Sequence, residues 1–386
     1  MLFNCSPALA SRVRREINRR PAWYVSAALA VIFFFYLSHV TEPDERSWHP
    51  TSSRLPPPVR PQFKPGVAKP PGEPYTLTMV LAKLRSDDMS WLYRHFPDAN
   101  TTVYVVDDEP GQLKIPKNKG REAMAYLTYM IDHYDALPDI SLFFHPHQFA
   151  WHNSDLHGQN ILDMLETLNP AHIARVGYMP LRCQHDPGCP RWLHLDLPEH
   201  QLDSFLRMEE KYFTSKVWWQ LHPGTPRPDS ISEPCCSQFA LWRDRIRAQP
   251  VSEYVRYRDW LLNTPLDDEI SGRWMEYSWQ YLFTGQAEYC PSQSVCFCDG
   301  YGICFGGDAQ VQLYLDKLKE MRNMSDQADA LDVVGGNTEK TSRLRSEANE
   351  LNAWLDATRT RATERGKDPI NRALDCGRLW KEGDGF

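Results

Sequence analysis

Three short apolar segments alternate with helical patterns between residues 76 and 144, and this alternation restricts the fold more than any other feature of the chain. Residues 76–84, 101–106 and 140–144 are rich in apolar and β-branched residues and predict buried strands. Residues 121–134 carry apolar side chains at helical spacing and predict an amphipathic helix. Strands that alternate with helices are typical of parallel sheets, so we predict an α/β fold with a Rossmann-like, mostly parallel sheet.

The second half of the chain is rich in Trp and Cys and is less regular. It predicts helices at residues 201–214, 239–248, 252–263, 273–283, 309–322 and 342–357. Eight cysteines cluster between residues 183 and 304, which in an oxidising compartment predicts up to four disulfide bonds, with Cys376 left over. A zinc site at 290–304 is the alternative interpretation of the last four of these cysteines.

Polar residues follow two of the predicted strands at the point where each strand ends. Asp107 and Asp108 come directly after the second strand, and His145 and His147 follow the third. Ligands of parallel α/β sheets bind beyond the carboxyl ends of the strands, so these side chains are predicted to line one site. The two aspartates are candidates to bind a ribose hydroxyl or a metal ion, and a solvated turn is the alternative.

A dense group of histidines begins at the same edge of the sheet. His145 and His147 should point to one side if strand geometry continues, and His152 can return from the following loop. Three imidazoles so placed can hold Mn²⁺ or Zn²⁺, hydrogen-bond a phosphate, or take part in proton transfer. The alternative is that they pack beside neighbouring aromatic residues without binding a ligand.

Two further positions are candidates for chemistry. Asn118, Gly120 and Arg121 open the helix at 121–134, and amides at a helix N-terminus attract anions, so we predict that a diphosphate binds here. A plain helix start capped by Asn118 is the alternative. Glu276 lies in a predicted helix and is a candidate general base, whereas a position on a solvated helix face is the alternative.

The N-terminal part of the chain has the pattern of a membrane anchor. Residues 22–40 are apolar and contain no Asp, Glu, Lys or Arg, which is long enough to cross a bilayer as a transmembrane helix. Five arginines precede this run within residues 1–21, so the positive-inside rule predicts a cytosolic tail and a lumenal body. A cleaved signal peptide is the alternative, but its apolar core is shorter than this run. Residues 41–74 contain ten prolines and predict an extended stem.

The predicted organisation is a type II membrane glycoprotein of the secretory pathway, with the Golgi as the expected compartment. Its lumenal part is divided into an α/β domain at 75–322 and a helical extension at 323–386. Asn100 and Asn323 stand in glycosylation sequons. The chain has a net charge of −7 although its N-terminal tail is basic, and so acidic a body argues against nucleic acid as a partner.

Several stretches together resemble one protein family. They are NKGREAMAYLTYMIDHYDALPD at 118–139, FFHPHQFAWH at 143–152, GYMPLRCQHDPGCP at 177–190, CCSQFALWRDRI at 235–246 and RGKDPINRALDCGRLWKEGDGF at 365–386. This family is found largely in fungi and is catalogued as a domain of unknown function. The resemblance extends over residues 75–386 and implies no particular reaction.

A weaker resemblance is to glycosyltransferases of the rhamnan-synthesis type. The order of Asn118-x-Gly120-Arg121-Glu122, helix, apolar strand and His145 is similar to these enzymes. The motifs Cys236-x-Gln238-Phe239 and Glu276-Tyr277-x-Trp279 resemble lumenal transferases of the nucleotide-sugar fold. The resemblance implies a glycosyltransferase A-like fold, a nucleotide-sugar donor and a glycan or small-molecule acceptor, although the usual Asp-x-Asp metal motif is missing.

Three functional hypotheses follow from these features. In a glycosyltransferase, the segment at 118–121 would hold phosphate and Glu276 would deprotonate the acceptor hydroxyl, with rate gained by positioning and charge stabilisation. In a metal-dependent hydrolase, the histidines would activate water. In a non-catalytic glycan-binding or scaffold protein, exposed Trp residues would stack on sugars while the histidines only pack.

Overall fold

A computed structural model describes residues 61, 63–107, 113–195, 214–336 and 338–381. These residues belong to one compact unit that extends over residues 57–386. The predicted tail and anchor, most of the stem, Asp108 and all but the last residue of the helix predicted at 201–214 lie outside the described residues. In the part of the chain that is described, no helix is both long and apolar enough to cross a membrane.

The centre of the unit is a five-stranded sheet with the order β2-β1-β3-β7-β4. The strands of the chain are β1 (Leu77–Lys83), β2 (Thr101–Val105), β3 (Ile140–Phe143), β4 (Tyr178–Pro180), β5 (Leu193–His194), β6 (Ser230–Ile231) and β7 (Phe239–Trp242). Strand β1 pairs in parallel with β2 and β3, whereas β7 is antiparallel to both β3 and β4. Strands β5 and β6 form a separate antiparallel pair. The predicted mixed α/β fold with a mostly parallel sheet is confirmed.

Both faces of the sheet are buried, which explains why its strands are continuous apolar runs. Alternate side chains of a strand point to opposite faces. In β3, Phe143 packs into the core on one face, while Ile140 and Leu142 pack into the core on the other. In β7, Phe239 packs into the first of these cores and Ala240 into the second. A strand covered by helices on both faces is apolar at most positions, and the buried Ser141 of β3 shares a hydrogen bond of 3.1 Å with the Tyr129 hydroxyl.

Thirteen helices surround the sheet within the described ranges. They are α1 (Ser90–His95), α2 (Ala123–Asp132), α3 (Ile161–Thr167), α4 (Pro170–Val176), α5 (Ser215–Leu221), α6 (Arg243–Arg247), α7 (Val251–Asn263), α8 (Asp268–Glu276), α9 (Trp279–Thr284), α10 (Gln293–Tyr301), α11 (Asp308–Val333), α12 (Thr338–Gly366) and α13 (Pro369–Asp375). The predicted helix-rich second half is confirmed.

Two of the predicted helices are wrong in detail. Residues 239–248 form strand β7 followed by the short helix α6, because a four-residue apolar run has no period that separates a buried strand from a helix. Residues 273–283 are divided between α8 and α9. The chain leaves the helical conformation at Tyr277, and the Ser278 hydroxyl bonds back to the Trp274 carbonyl at 2.6 Å.

The two longest helices, α11 and α12, pack against each other as a hairpin. The polar segment predicted to link two shorter helices is itself largely helical, and the break lies at Val334–Gly336. The domain boundary predicted at residue 322 falls inside α11, and the residues on both sides belong to the same compact unit. Asn323 is exposed on this helix, and Asn100 is exposed just before β2.

The last part of the predicted stem, residues 63–74, has no helix or strand but contacts the folded unit. The Gly66 amide donates to the Arg175 carbonyl at 2.9 Å. Lys69 forms an ion pair of 2.6 Å with the buried Asp139. A free spacer would not make such contacts, so the ordered unit begins before residue 75.

Four disulfide bonds join the eight clustered cysteines. They are Cys183–Cys296, Cys189–Cys290, Cys235–Cys236 and Cys298–Cys304, and Cys376 is free. The predicted disulfides and the leftover cysteine are confirmed, and the zinc interpretation of residues 290–304 is wrong because all four of those thiols are bonded. Cys183–Cys296 ties α10 to the loop after β4, and Cys189–Cys290 ties the segment just before α10 to the same loop.

The buried His157 gives a first testable prediction. Burial, with a smaller contribution from Arg359, lowers the pKa of His157 to about 3. The unfolded chain therefore binds a proton near pH 6.5 that the folded chain does not, so the free energy of unfolding should fall as the pH decreases from about 6.5 towards 3. We expect His157→Gln to reduce this slope by up to about 1.4 kcal/mol per pH unit, measured by denaturant unfolding at pH 7, 6, 5 and 4.

The exposed His95 supplies a matched control for this measurement. His95→Gln should leave the pH dependence of unfolding unchanged. Equal slopes for the wild type and His157→Gln would contradict the prediction, because they would mean that the folded and unfolded chains bind this proton equally well.

Candidate functional site

A cleft of about 700 Å³ lies at the carboxyl ends of β1, β2 and β3. The strands supply Lys83, Val106 and His145 at or just beyond their ends, and α8 supplies the opposite wall. The lining residues are Ala82, Lys83, Leu84, Asp87, Val106, Asn118, Arg121, Glu122, His145, Pro146, His147, Trp151, His152, Cys236, Asp268, Glu269, Gly272, Arg273 and Glu276. Parallel strands thus bring together residues far apart in sequence. The cleft lies beyond the carboxyl ends of the strands, where α/β sheets usually bind their ligands.

Most of the predicted site residues meet in this cleft. The three histidines, Asn118, Arg121 and Glu276 all line it. Asp107 does not, because its carboxylate turns back and accepts a hydrogen bond of 2.8 Å from the Arg85 amide. Because Asp107 is not among the described lining residues of the cleft, a role in binding ribose or a metal has no support at this position.

The predicted phosphate site at residues 118–121 is already occupied by a carboxylate. Asp268 accepts hydrogen bonds from the amides of Gly120 and Arg121 at 2.8 and 3.2 Å. Its second oxygen lies 3.3 Å from the Arg121 guanidinium. Gly120 is itself buried, and a Cβ there would lie 2.5 Å from Leu261. The anion that this helix start attracts is an internal one, and the prediction of a phosphate held by these amides is wrong.

Glu276 is the buried acid of the cleft. It ends α8, is 7% exposed, and accepts hydrogen bonds from the Cys236 amide at 2.7 Å and from Arg273 at 2.6 Å. Burial raises the pKa of Glu276, and nearby Glu122 adds to the rise, whereas Arg273 and the Cys236 amide oppose it. A carboxyl with a raised pKa is suited to proton transfer.

His145 also hydrogen-bonds to the backbone of Cys236. Its Nε2 donates to the Cys236 carbonyl at 2.8 Å, and its own amide donates to the Gln238 side chain at 3.1 Å. The Cys236 carbonyl therefore fixes the tautomer and leaves Nδ1 as the acceptor nitrogen. The backbone of Cys236 therefore hydrogen-bonds to both Glu276 and His145.

The other two histidines differ in their surroundings. Burial, followed by the charges of His145 and His147, lowers the pKa of His152 to about 3, so its imidazole is neutral. The buried His152 Nε2 has no hydrogen-bond partner among the described residues. His147 is exposed, and its Nε2 lies 3.6 Å from the Asp87 carboxylate.

The histidines do not form a ready-made metal site. Among the described residues, the groups of three or more ligand atoms within 4.8 Å of one another are Cys235–Cys236–Glu276 and Cys298–Cys304–Asp375, whose cysteines are in disulfides. His145 has also committed Nε2 to a carbonyl.

Sequence reasoning missed several residues of the cleft. Five carboxylates and three Lys or Arg side chains are among its described lining residues, so its permanent charges are predominantly acidic. Asp268 and Glu269 stand in the acidic run 267–269, which reads as an ordinary helix start and gives no sign of a cleft. The bond between Cys235 and Cys236 was equally hidden, because eight cysteines allow many pairings.

Comparison with known proteins identifies relatives of the chain. Residues 79–299 match the family described as a protein of unknown function (DUF3431). The chain belongs to this family. The match includes every described residue of the cleft and nearly the whole main sheet, and it confirms the first of the two resemblances.

The remaining comparisons find no relatives. None of the curated proteins matches the chain, and neither does any solved structure. They give no evidence for the resemblance to rhamnan-synthesis-type glycosyltransferases.

Proposed function

We propose that this protein is a glycosyltransferase-like enzyme that binds a nucleotide-sugar and an acceptor hydroxyl in the cleft. The observation that carries the proposal is a buried carboxyl with a raised pKa, Glu276, inside a cavity of about 700 Å³ at the carboxyl edge of a mostly parallel sheet. The volume suits a ligand of nucleotide-sugar size. A glycosyltransferase A-like form of the fold is part of the same proposal.

Glu276 is the proposed proton acceptor. Its pKa is raised, so it accepts a proton from an acceptor hydroxyl more readily than an ordinary glutamate at the same pH. Arg273 holds one carboxylate oxygen and the Cys236 amide holds the other, which fixes the direction of the remaining lone pairs. Transfer gains from this orientation because the reacting groups are held in place before the reaction.

The acidic cleft determines how a diphosphate can bind. The five carboxylates of the cleft outnumber its three Lys or Arg side chains, so a cation that accompanies the diphosphate would favour its binding. We therefore include Mn²⁺ in the proposal, with Asp87 and His147 as the residues that would hold it. When bound, the cation would neutralise the phosphate charge. This assignment replaces the predicted set of three histidines.

The mouth of the cleft supports a carbohydrate as the ligand. Trp151 lines the cleft and is 60% exposed, and Phe149, two residues earlier in the chain, is 66% exposed. The Arg182 guanidinium lies 5.7 Å from the centre of the Trp151 ring and supports it from one side. The same two exposed aromatic residues favour the second candidate, a glycan-binding protein without catalysis, because stacking on sugars requires no base.

A lumenal location belongs to the proposal as well. Four disulfide bonds persist only in an oxidising compartment, which supports the secretory pathway. The type II anchor at 22–40 and residence in the Golgi continue as predictions from the sequence, and glycosylation at Asn100 and Asn323 is expected with them.

Nucleotide binding can be tested by thermal unfolding of the full chain. We expect UDP or GDP, or one of their sugars, to raise the melting temperature only when Mn²⁺ is present, because the cleft is acidic. A ligand at 100 times its Kd stabilises the folded state by about 2.7 kcal/mol. Asp87→Asn should abolish the rise in melting temperature that depends on Mn²⁺. Asp259→Asn, at an exposed position of α7, should retain this rise.

The other hypotheses predict different results in the same assay. A glycan-binding protein would be stabilised by oligosaccharides and by no nucleotide. A metal-dependent hydrolase would contain tightly bound metal and would not respond to nucleotides. Either result would contradict the transferase proposal.

A further inference from the structure

The bond between adjacent cysteines, Cys235 and Cys236, lies at the wall of the cleft. Cys236 is among the lining residues, and both cysteines are almost fully buried. None of the other three disulfides contributes a residue to the described lining of the cleft. This bond is therefore placed where a change in its state would reach the ligand site.

The backbone of Cys236 hydrogen-bonds to both Glu276 and His145. Its amide donates to Glu276 at 2.7 Å, and its carbonyl accepts from His145 Nε2 at 2.8 Å. One residue therefore orients the proposed proton acceptor and the neighbouring imidazole at the same time. A rotation of the backbone at Cys236 would break at least one of these hydrogen bonds.

The conformation of Cys236 is one that requires a constraint. Its φ is +94°, a region that residues with a side chain rarely adopt. A disulfide between neighbouring residues closes a small ring that includes the peptide bond between them, and such a ring restricts the backbone on both sides of that bond. Without the ring, Cys236 is free to relax towards negative φ.

A buried cation stands next to the two sulfur atoms. Arg182 is 5% exposed, and its Nη1 lies 3.1 Å from the Cys235 sulfur and 3.6 Å from the Cys236 sulfur. A guanidinium at this distance stabilises a thiolate. The cleft thus gives access to the Cys236 side of the bond, while the cation favours Cys235 as the departing sulfur.

We propose that the Cys235–Cys236 disulfide is a redox-sensitive positioning element, which holds Glu276 and His145 in place when oxidised and releases them when reduced. The positioning itself is independent of any substrate. The consequence for transfer, that the reduced protein is the less active form, rests on the proposed function.

The reduction is a thiol–disulfide exchange with a dithiol. One thiolate of the dithiol attacks the Cys236 sulfur, the bond between the cysteines breaks, and the Cys235 thiolate leaves beside Arg182. The second thiol of the reagent then displaces the Cys236 sulfur. The dithiol loses two electrons and becomes a cyclic disulfide, and the two cysteines gain those electrons with the dithiol's two protons.

The test uses the full chain and needs no nucleotide or sugar. Dithiothreitol reduces the protein over time, and differential alkylation with mass spectrometry measures the reduction of each disulfide. Hydrogen exchange of the Cys236 amide and the ¹³C titration of the Glu276 carboxyl are followed in parallel. We expect amide exchange to become at least about tenfold faster as Cys235–Cys236 is reduced, because an amide released from its acceptor opens to solvent.

The titration of Glu276 should change in the same samples. The Cys236 amide stabilises the charged carboxylate, so its loss should increase the proton affinity of Glu276 about tenfold. The double variant Cys235→Ala/Cys236→Ala should reproduce both changes without a reductant. The matched double variant Cys298→Ala/Cys304→Ala, at a disulfide outside the cleft, should show neither change.

Two results would overturn the proposal. In the first, Cys236 exchange and Glu276 titration stay the same after the bond is reduced. In the second, both follow the reduction of Cys189–Cys290, which is the more exposed bond. Nucleotide binding is measured separately in the oxidised protein, so failure of the transferase function and failure of this proposal give different patterns.

Discussion

Asp299→Ala is expected to lower the free energy of unfolding by about 3–5 kcal/mol, because it leaves the buried His172 and two partly buried arginines without their partner. Asp299 is 2% exposed in α10. Its carboxylate accepts hydrogen bonds of 2.8 Å from His172, Arg175 and Arg378, and its carbonyl accepts one of 2.8 Å from Arg372. The same group therefore holds α4 and the C-terminal segment against α10.

Denaturant unfolding at pH 7 measures this effect. Asp299→Asn keeps the shape of the side chain but not its charge, so we expect a smaller loss than for alanine. Asp356→Ala, at an exposed position of α12, should change the stability by less than about 0.5 kcal/mol. A loss for Asp299→Ala as small as this would mean that the cations find other partners.

The pH dependence gives an independent check on Asp299. Burial alone would raise the pKa of Asp299, but hydrogen bonds and charges from His172 and Arg175 outweigh it and lower the pKa well below its usual range. The unfolded chain binds this proton near pH 4 and the folded chain only at lower pH. The difference in free energy of unfolding between the wild type and Asp299→Asn should have its full size above about pH 4 and should shrink as the pH falls further.

Glu276→Gln is expected to lower the rate of sugar transfer by about 10²–10⁴-fold, since an amide cannot accept the proton of the acceptor hydroxyl. Glutamine has nearly the same shape and can still accept the hydrogen bond from the Cys236 amide. Binding of the nucleotide-sugar should therefore change little, and the loss should appear in kcat more than in KM. Steady-state kinetics with the donor identified by thermal unfolding would measure both parameters.

A neighbouring glutamate provides the control for this variant. Glu233 is buried close to Glu276 but is not among the described lining residues of the cleft. Burial raises the pKa of Glu233 well above its usual value, and its carboxyl accepts a hydrogen bond of 2.5 Å from the Tyr178 hydroxyl. Glu233→Gln should retain most of the activity. Equal activity of Glu276→Gln and the wild type would remove Glu276 from the mechanism.

The pH profile should also identify the base. The pKa of Glu276 is raised, and the base acts only when it is deprotonated. The rate should fall as the pH decreases through a pKa higher than that of an ordinary glutamate. Arg273 opposes the rise, so its replacement should move this limb of the profile to still higher pH.

The site could be predicted in part because it follows from strand order. Residues at the ends of parallel strands meet at one edge of the sheet, and this rule by itself predicts that His145 and His147 lie in the cleft. Asp107 follows a strand in the same way, yet it bonds to the Arg85 amide instead. Where a short polar side chain turns depends on which backbone groups lie nearby, and these are set by tertiary contacts.

The phosphate prediction was wrong for a related reason. The helix start at residues 118–121 does attract an anion, as the sequence indicated. The anion is Asp268, from a segment more than a hundred residues away in sequence. A local pattern reveals the kind of partner that a helix N-terminus takes, but it does not reveal whether the fold supplies that partner itself.

The amino-acid sequence by itself determined the α/β class, the presence of disulfides and the edge of the sheet where the cleft lies. These features depend on local periodicity, on composition and on a general rule for parallel strands. The tertiary structure alone decided that Cys235 bonds to Cys236, that Asp268 occupies the helix start, and that Glu276 and His145 meet at one backbone residue. Contacts between distant segments depend on the packing of the whole chain, and local sequence patterns carry no information about them.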